Sequence, residues 1–244
     1  MPHIKTYRQG GEGMGAGSRS FENNRKVALE NRLGFALRRI NVLSLIGTSG
    51  AGKTELLRRT HEFLKGRLQL EALITSEVDQ ERLSALGIPA HQVCCNAYGA
   101  LEATTIGELV GKLEIGPGVL IFMEHPGNLF SPWGFDAGEN CRILVHSVPE
   151  GHDQPVKYPG LFRGVDLILV NKIDLLPFTD FTWKRFHGNL RQVQSNAQVI
   201  VVSCRSGFGL TAWGEWLLNF LGEDPVESSS SLQKDFAGPV EHWF

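Results

Sequence analysis

The sequence lacks the features that mark membrane, secreted and strongly charged proteins. Its longest apolar runs have the length of strands, and its polar N-terminus holds no apolar signal segment. Its four cysteines, of which only Cys94 and Cys95 are adjacent, do not form a disulfide framework. A net charge of −2 does not indicate a nucleic-acid or membrane partner. We therefore expect a reduced, cytoplasmic protein that binds neither nucleic acid nor membrane.

No linker divides the middle of the 244 residues, which favours one α/β domain with extensions at both ends. Residues 1–19 hold five glycines and little apolar content, which predicts a flexible N-terminal arm. Residues 223–244 include a run of four serines and read as a loose C-terminal tail. The sequence therefore predicts a domain over 20–222 that opens with a leading helix over 20–39.

Short apolar runs alternate with helical patterns through this domain. We expect strands at 42–46, 72–76, 118–123, 141–147, 165–170 and 198–202. Helices are expected at 53–68, 80–86, 101–113, 158–162, 181–194 and 210–220. Apolar strands separated by helices predict a mostly parallel sheet that is covered on both faces.

Residues 47–54 fit the pattern G-x-x-x-x-G-K-[ST] between a predicted strand and a predicted helix. In this order the backbone turns its N–H groups around phosphate oxygens, and the helix N-terminus adds partial positive charge. Lys53 would reach the β- and γ-phosphates, and the Thr54 hydroxyl would bind Mg²⁺. The nucleotide-binding residues predicted here are Gly47, Ser49, Gly50, Ala51, Gly52, Lys53 and Thr54.

A second loop indicates that the base is guanine. Asn171-Lys172-Ile173-Asp174 follows the predicted strand 165–170, at an edge where nucleotides bind in parallel sheets. The Asp174 carboxylate suits the guanine N1–H and exocyclic amine, whereas adenine offers an acceptor at N1, and such a mismatch discriminates strongly. Lys172 would pack along the base plane. GTP is therefore favoured over ATP.

Ser203-Cys204-Arg205 follows the last predicted strand. GTPases place a Ser-Ala-Lys-like loop at this position, and its backbone contacts guanine. We therefore add Ser203, Cys204 and Arg205 to the predicted base-binding residues.

Two carboxylates are candidates for the Mg²⁺ site, since this ion prefers hard oxygen ligands. Glu124 ends the predicted strand 118–123, with Gly127 three residues later, and Glu77 ends the predicted strand 72–76. We expect Lys53, Thr54 and Glu124 to act in catalysis, with Asp79 and Asp136 as candidates for orienting the attacking water. Arg82 and Arg142 are weaker candidates for an arginine donated by an opposing subunit.

With these motifs in place, the sequence resembles the hydrogenase nickel-incorporation GTPases (HypB), relatives of the urease nickel-insertion GTPases. The resemblance runs in the family's order from about residue 20 to 221. Its most specific stretches are Gly-Asn-Leu, Phe-Asp-x-Gly-Glu, Glu-Gly-x-Asp-x-Pro-x-Lys-Tyr-Pro and Asn-Lys-x-Asp-Leu-Leu-Pro, at 127–129, 135–139, 150–159 and 171–177.

The resemblance implies a P-loop NTPase fold with a SIMIBI-type G domain. It also implies a slow, nucleotide-switched GTPase that forms a homodimer with GTP and cycles to GDP. The family's dimer helps to deliver nickel to a hydrogenase precursor and works with a small zinc-containing partner. By the same resemblance Glu77 stands where the family usually has Asp, and Asp136 and Glu139 lie in the nucleotide-responsive segment.

The pattern departs from the family at its metal site. Gly99-Ala100 replace the family's adjacent Cys-His pair, and neither side chain can bind nickel or zinc. Cys94 and Cys95 are candidate replacements across a dimer, but adjacent cysteines on a strand point to opposite faces and free cysteines are often simply buried, so a packing role is favoured. Three functions stay open: a maturation GTPase, a nucleotide-dependent scaffold or paralogue serving another metalloenzyme, and a small-molecule kinase.

Overall fold

The structure is a computed structural model that describes residues 16–127 and 135–223. Seven strands of this part of the chain form a single sheet. The strands are β1 (Asn41–Ile46), β2 (Leu70–Ile74), β3 (Ala90–Gln92), β4 (Leu120–Glu124), β5 (Cys141–Ser147), β6 (Leu167–Asn171) and β7 (Gln198–Val201). The helices are α1 (Ala16–Leu37), α2 (Lys53–Leu64), α3 (Glu77–Ala85), α4 (Ala103–Lys112), α5 (Gln154–Lys157), α6 (Pro159–Arg163), α7 (Trp183–Val193) and α8 (Leu210–Leu221).

The sheet is parallel throughout, with the strand order β3-β2-β4-β1-β5-β6-β7. Strand β1 lies at its centre, between β4 and β5. The register pairs Leu45 of β1 with Glu124 of β4, and Ser147 of β5 with Asn171 of β6. The loops that follow β1, β4 and β6 therefore all emerge at the same carboxyl edge, where α/β sheets bind ligands.

Helices cover both faces of the sheet, as the continuous burial of the strands requires. On one face α2, α3 and α8 pack on alternate residues of β1, β2 and β4, with Trp213 and Phe122 in contact through their rings. On the other face α1 and α4 cover the same three strands, and α6 and α7 cover β5 and β6. Leu56, Leu57 and Leu64 of α2 are buried in the core on this face of the sheet. Their burial fixes the position of the helix relative to the loop that precedes it.

Two asparagines on α1 join it to separate parts of the domain. The Asn31 side-chain amide donates to the carbonyls of Ala103 at 2.6 Å and Ala137 at 3.0 Å. The Asn24 amide donates to the Asp136 carbonyl at 2.8 Å, and its oxygen accepts from the Ala103 N–H at 2.9 Å. Helix α1 is thus tied both to the first residue of α4 and to the segment that leads into β5.

The parallel α/β fold and all six predicted strands are confirmed, with ends shifted by up to two residues. The helix predicted at 158–162 is observed as α6, whereas the short strand β3 and the short helix α5 were missed. Strand β2 ends at Ile74, so the prediction that Glu77 ends a strand was wrong. Ser76 caps α3 by accepting from the Asp79 N–H at 3.3 Å, and Glu77 is the first helical residue.

Helix α1 begins at Ala16, four residues before the predicted start. The rest of the predicted N-terminal arm and residues 224–244 of the predicted tail lie outside the described residues, so the domain boundaries stay a prediction. Among the described helices none is both long and apolar enough to cross a membrane.

Candidate nucleotide-binding site

The loop between β1 and α2 depends on glycine at several positions. Gly47 has a φ of 150° and Gly52 a φ of 104°, where side chains are strained. A Cβ at Gly47 would lie 2.3 Å from the Val145 carbonyl oxygen, and one at Gly52 would lie 2.3 Å from the Asn171 amide nitrogen. The loop can therefore pass this close to its neighbours only with glycine, and α2 begins directly after it at Lys53.

Lys53 is folded back over this loop. Its ammonium donates to the carbonyls of Gly47 at 3.1 Å and Thr48 at 3.0 Å, and it lies 3.9 Å from the Glu124 carboxylate. Burial lowers the pKa of Lys53, while Glu124 and Glu150 act to raise it. A buried ammonium is thus held on two carbonyls of the phosphate loop, where an anion would give it stronger, charge-assisted partners.

Thr54 and Glu124 form the second charged element of the site. The Thr54 hydroxyl lies 3.2 Å from each oxygen of the Glu124 carboxylate, which is 8% exposed at the end of β4. Burial raises the pKa of Glu124, and the neighbouring Lys53 partly offsets this. A hydroxyl and a buried carboxylate at one point supply the hard oxygens that Mg²⁺ prefers.

A cavity of about 500 Å³ opens beside these residues. The phosphate loop, the N-terminus of α3 and the segment after β4 line it, with Lys53, Thr54, Asp79, Arg82 and Glu124 among the lining side chains. It is closed on one side by Gly127, whose carbonyl accepts from the Ser49 N–H at 3.1 Å. A Cβ at Gly127 would lie 2.3 Å from that nitrogen, so only glycine permits this contact.

Two predicted acidic residues lie elsewhere. Glu77 is exposed on α3 and does not line the cavity, whereas Asp79, two residues later, does. Asp136 is buried and its carboxylate accepts from the Arg32 guanidinium of α1 at 2.6 Å. Their predicted roles in binding Mg²⁺ and orienting water stay predictions.

Arg142 is buried in the segment that also holds Asp136. Its guanidinium donates to the Glu139 carboxylate at 2.5 Å and to the Phe135 carbonyl at 2.9 Å. The side chain is 3% exposed, so these contacts keep it inside the subunit. Arg82 is the predicted arginine that lies in the cavity, and there it contacts Asp79 at 3.3 Å.

The predicted base-binding loops are joined to the phosphate loop by one side chain. Asn171, at the end of β6, donates its amide to the Ala51 carbonyl at 2.9 Å. Its oxygen accepts from the N–H groups of Lys172 at 2.8 Å and Cys204 at 3.1 Å. Lys172 adopts a left-handed conformation with a φ of 61°, which turns the chain sharply toward Asp174.

Asp174 and Ser203 lie together at the sheet edge. The Ser203 hydroxyl donates to the Asp174 carboxylate at 2.6 Å and accepts from the Ser206 N–H at 3.1 Å. Burial raises the pKa of the Cys204 thiol to about 12, so this side chain contributes packing, while Arg205 is exposed. The serine thus fixes the orientation of the carboxylate that the sequence assigns to guanine.

Sequence reasoning missed two supporting residues. Arg59 of α2 donates to the carbonyls of Cys204 at 2.8 Å and Arg205 at 3.2 Å. Glu150, after β5, accepts from the hydroxyl of Thr48 in the phosphate loop. Burial alone would raise the pKa of Glu150, but hydrogen bonds, from His146 first, lower it overall. A capping box between Ser147 and Glu150 was a readable signal for this turn, whereas nothing local marked Arg59.

A glycine-rich phosphate loop after the central strand, with the acidic end of β4 beside it, defines the chain as a P-loop NTPase domain. No protein-family model matches the sequence. Individual proteins do match. The chain is 40% identical to hydrogenase maturation factor HypB from Azotobacter vinelandii over 198 residues, which cover 80% of this chain and 65% of that protein. It is 36% identical to the protein of the same name from Escherichia coli K12, over 80% and 69% of the two lengths.

Solved structures agree. The crystal structure of hydrogenase maturation factor HypB from Archaeoglobus fulgidus aligns with a TM-score of 0.75 at 29% identity, over 82% of this chain and 99% of that one. A structure of HypB from Helicobacter pylori in complex with nickel has the same TM-score at 24% identity and supports the fold alone. The chain belongs to the HypB family of hydrogenase maturation factors. It spans just under two thirds of the length of the Azotobacter relative.

Proposed function

We propose that this protein binds GTP and hydrolyses it to GDP and phosphate. The observation that carries the proposal is the Asn171 side chain, which hydrogen-bonds both the phosphate loop and the 203–205 loop. The two halves expected of a guanine-nucleotide site are therefore built as one hydrogen-bonded unit. The Asp174 carboxylate, oriented by Ser203, would select the base.

The backbone amides of residues 50–54 and the N-terminus of α2 would hold the β-phosphate. Lys53 would exchange its two backbone carbonyl partners for phosphate oxygens, with which it makes stronger, charge-assisted hydrogen bonds. The folded-back lysine is thus a ready counter-charge, and it would stabilise negative charge that develops during phosphoryl transfer.

Mg²⁺ fits the oxygen pair of Thr54 and Glu124, since both face one cavity and the carboxylate is buried there. When bound, the ion neutralises charge on the β- and γ-phosphate oxygens. Glu77 stays a proposed further ligand, although Asp79 is the acidic residue of α3 that lines the cavity. For the same reason we favour Asp79 over Asp136 for orienting the attacking water.

We further propose that the nucleotide cycle controls a homodimer that assists assembly of a hydrogenase nickel centre in the cytoplasm. The relatives' name, hydrogenase maturation factor, supports this role. A hydrogenase precursor and a small zinc-containing maturation protein are the partners we propose.

Gly99-Ala100 favour a second candidate, a nucleotide-dependent factor that holds no metal itself. Gly99 forms a left-handed turn and Ala100 is 2% exposed, and neither side chain has a donor atom for metal. Metal analysis of the purified dimer separates the two candidates. Stoichiometric nickel that is lost in a Cys94→Ser/Cys95→Ser variant would favour the first.

Nucleotide specificity tests the proposed activity. Phosphate release by the full chain is expected with GTP and Mg²⁺ and not with ATP. Asp174→Asn keeps one oxygen acceptor for N1–H but replaces the other by an NH₂ donor, which suits the 2-oxo group of xanthine and not the exocyclic amine of guanine. This variant should therefore lose preference for GTP and gain turnover of xanthosine triphosphate. Equal rates with GTP and ATP, or an unchanged preference in Asp174→Asn, would contradict the proposal.

A further inference from the structure

Arg59 contacts the 203–205 loop, which lies on the base-binding side of the site. It lies on α2 and is not among the residues that line the phosphate cavity. Its Nε atom donates to the Cys204 carbonyl at 2.8 Å and its Nη2 atom to the Arg205 carbonyl at 3.2 Å. One planar guanidinium therefore caps two consecutive carbonyls, a geometry that its rigid fork of donors suits.

The loop that Arg59 caps is held from its other side by the base-binding residues. The Cys204 N–H donates to Asn171, and the Ser203 hydroxyl donates to Asp174 at 2.6 Å. Residues 205–207 are exposed, and the chain forms a turn at 204–206. The guanidinium thus fixes the carbonyl side of a surface turn whose serine orients the guanine-selecting carboxylate.

We propose that Arg59 is a positioning residue for guanine selection. It holds the 203–205 loop in the geometry that keeps Ser203 on Asp174. The inference rests on the proposed GTP function and adds a determinant to it. Because Arg59 contacts neither Lys53, Thr54 nor Glu124, its removal should weaken nucleotide binding and base discrimination while leaving the chemical step unchanged.

The neighbouring Arg58 supplies a matched control. It has the same charge and lies on the same helix, but its guanidinium bonds to Glu55 and Glu62 of α2. Arg59 also lies near these two carboxylates, at 3.6 Å and 3.4 Å. The two variants therefore share the loss of a surface charge on α2 and differ in the contact with the loop.

The experiment compares Arg59→Ala, Arg59→Lys and Arg58→Ala in the full chain. Steady-state hydrolysis is measured with GTP and with inosine triphosphate, which lacks the exocyclic amine of guanine. Arg59→Ala removes both hydrogen bonds to the loop and should raise the KM for GTP about tenfold, with kcat within about twofold. The GTP preference over inosine triphosphate should fall, Arg59→Lys should recover part of it, and Arg58→Ala should match the wild type.

An Arg59→Ala variant with the GTP KM and base preference of Arg58→Ala would overturn the inference. A loss of kcat with an unchanged base preference would overturn it as well, because that result describes general damage. If Arg59→Ala does not fold, Arg59→Gln and Arg59→Lys are judged by the same ratio. A wild-type protein that does not prefer GTP over ATP would instead remove the proposed function itself, so the two failures are distinguishable.

Discussion

Replacing Asn171 by alanine should cost both stability and nucleotide affinity. Asn171 is 2% exposed, and its side chain takes part in three hydrogen bonds, to Ala51, Lys172 and Cys204. The variant leaves the Ala51 carbonyl and the Cys204 N–H without this partner, in residues that are themselves buried. Each unsatisfied buried group costs about 1–3 kcal/mol, so we expect a loss of about 3 kcal/mol in the free energy of unfolding.

Equilibrium urea unfolding without nucleotide, followed by tryptophan fluorescence, measures this loss. Asn189→Ala is the control, because the half-buried Asn189 amide donates once, to the His152 carbonyl at 2.9 Å. That variant should lose no more than about 1 kcal/mol. Titration with a fluorescent GDP analogue should show weaker binding for Asn171→Ala than for the control.

The reasoning fails if Asn171→Ala unfolds within about 1 kcal/mol of the wild type and binds GDP with unchanged affinity, because about 3 kcal/mol is expected from the groups left without a partner. It also fails if both asparagine variants behave alike. Either result would mean that the link between the two loops contributes nothing beyond a single half-buried hydrogen bond such as that of Asn189.

Three shorter predictions concern the same region. Lys53→Ala should abolish GTP binding or turnover, and full phosphate release by that variant would reject the phosphate-loop assignment. Gly127→Ala should strongly reduce turnover, since its Cβ would lie 2.3 Å from the Ser49 nitrogen; near-normal hydrolysis would show that this contact is dispensable. Burial raises the pKa of Cys204 to about 12, so its thiol stays protonated below that pH. In the folded protein at pH 8.5, iodoacetamide should therefore label the exposed Cys94 well before Cys204. Mass spectrometry measures the two labelling rates. Equal labelling rates would contradict the buried placement of Cys204.

Elements with a strong local pattern were predictable from sequence. Strand β5 was predicted at its observed bounds, around the apolar run of Ile143, Leu144 and Val145 at its centre. Strand β3 was not predicted, since Ala90, His91 and Gln92 carry no apolar pattern and pair only because β2 offers an open edge. The strand predicted at 72–76 extends two residues past the end of β2, because the apolar run before Ser76 obscured its role as a helix cap.

The candidate site divides in the same way. The phosphate loop and the Asn171–Asp174 loop are contiguous in sequence, so their chemistry is visible without a fold. The contacts of Arg59 with Cys204 and of Thr48 with Glu150 join residues 145 and 102 positions apart. Contacts of this kind are set by the strand order, which brings the ends of β1, β5, β6 and β7 to one edge.

Asn24 and Asn31 give the leading helix a role beyond covering the sheet. Their side chains bond the first residue of α4 and the backbone at 136–137 simultaneously. Displacement of the backbone that enters β5 must therefore either break these amide contacts or carry the long helix with it. A shortened chain that begins after this helix would lose the shared anchor, and the start of α4 would be released together with the approach to β5.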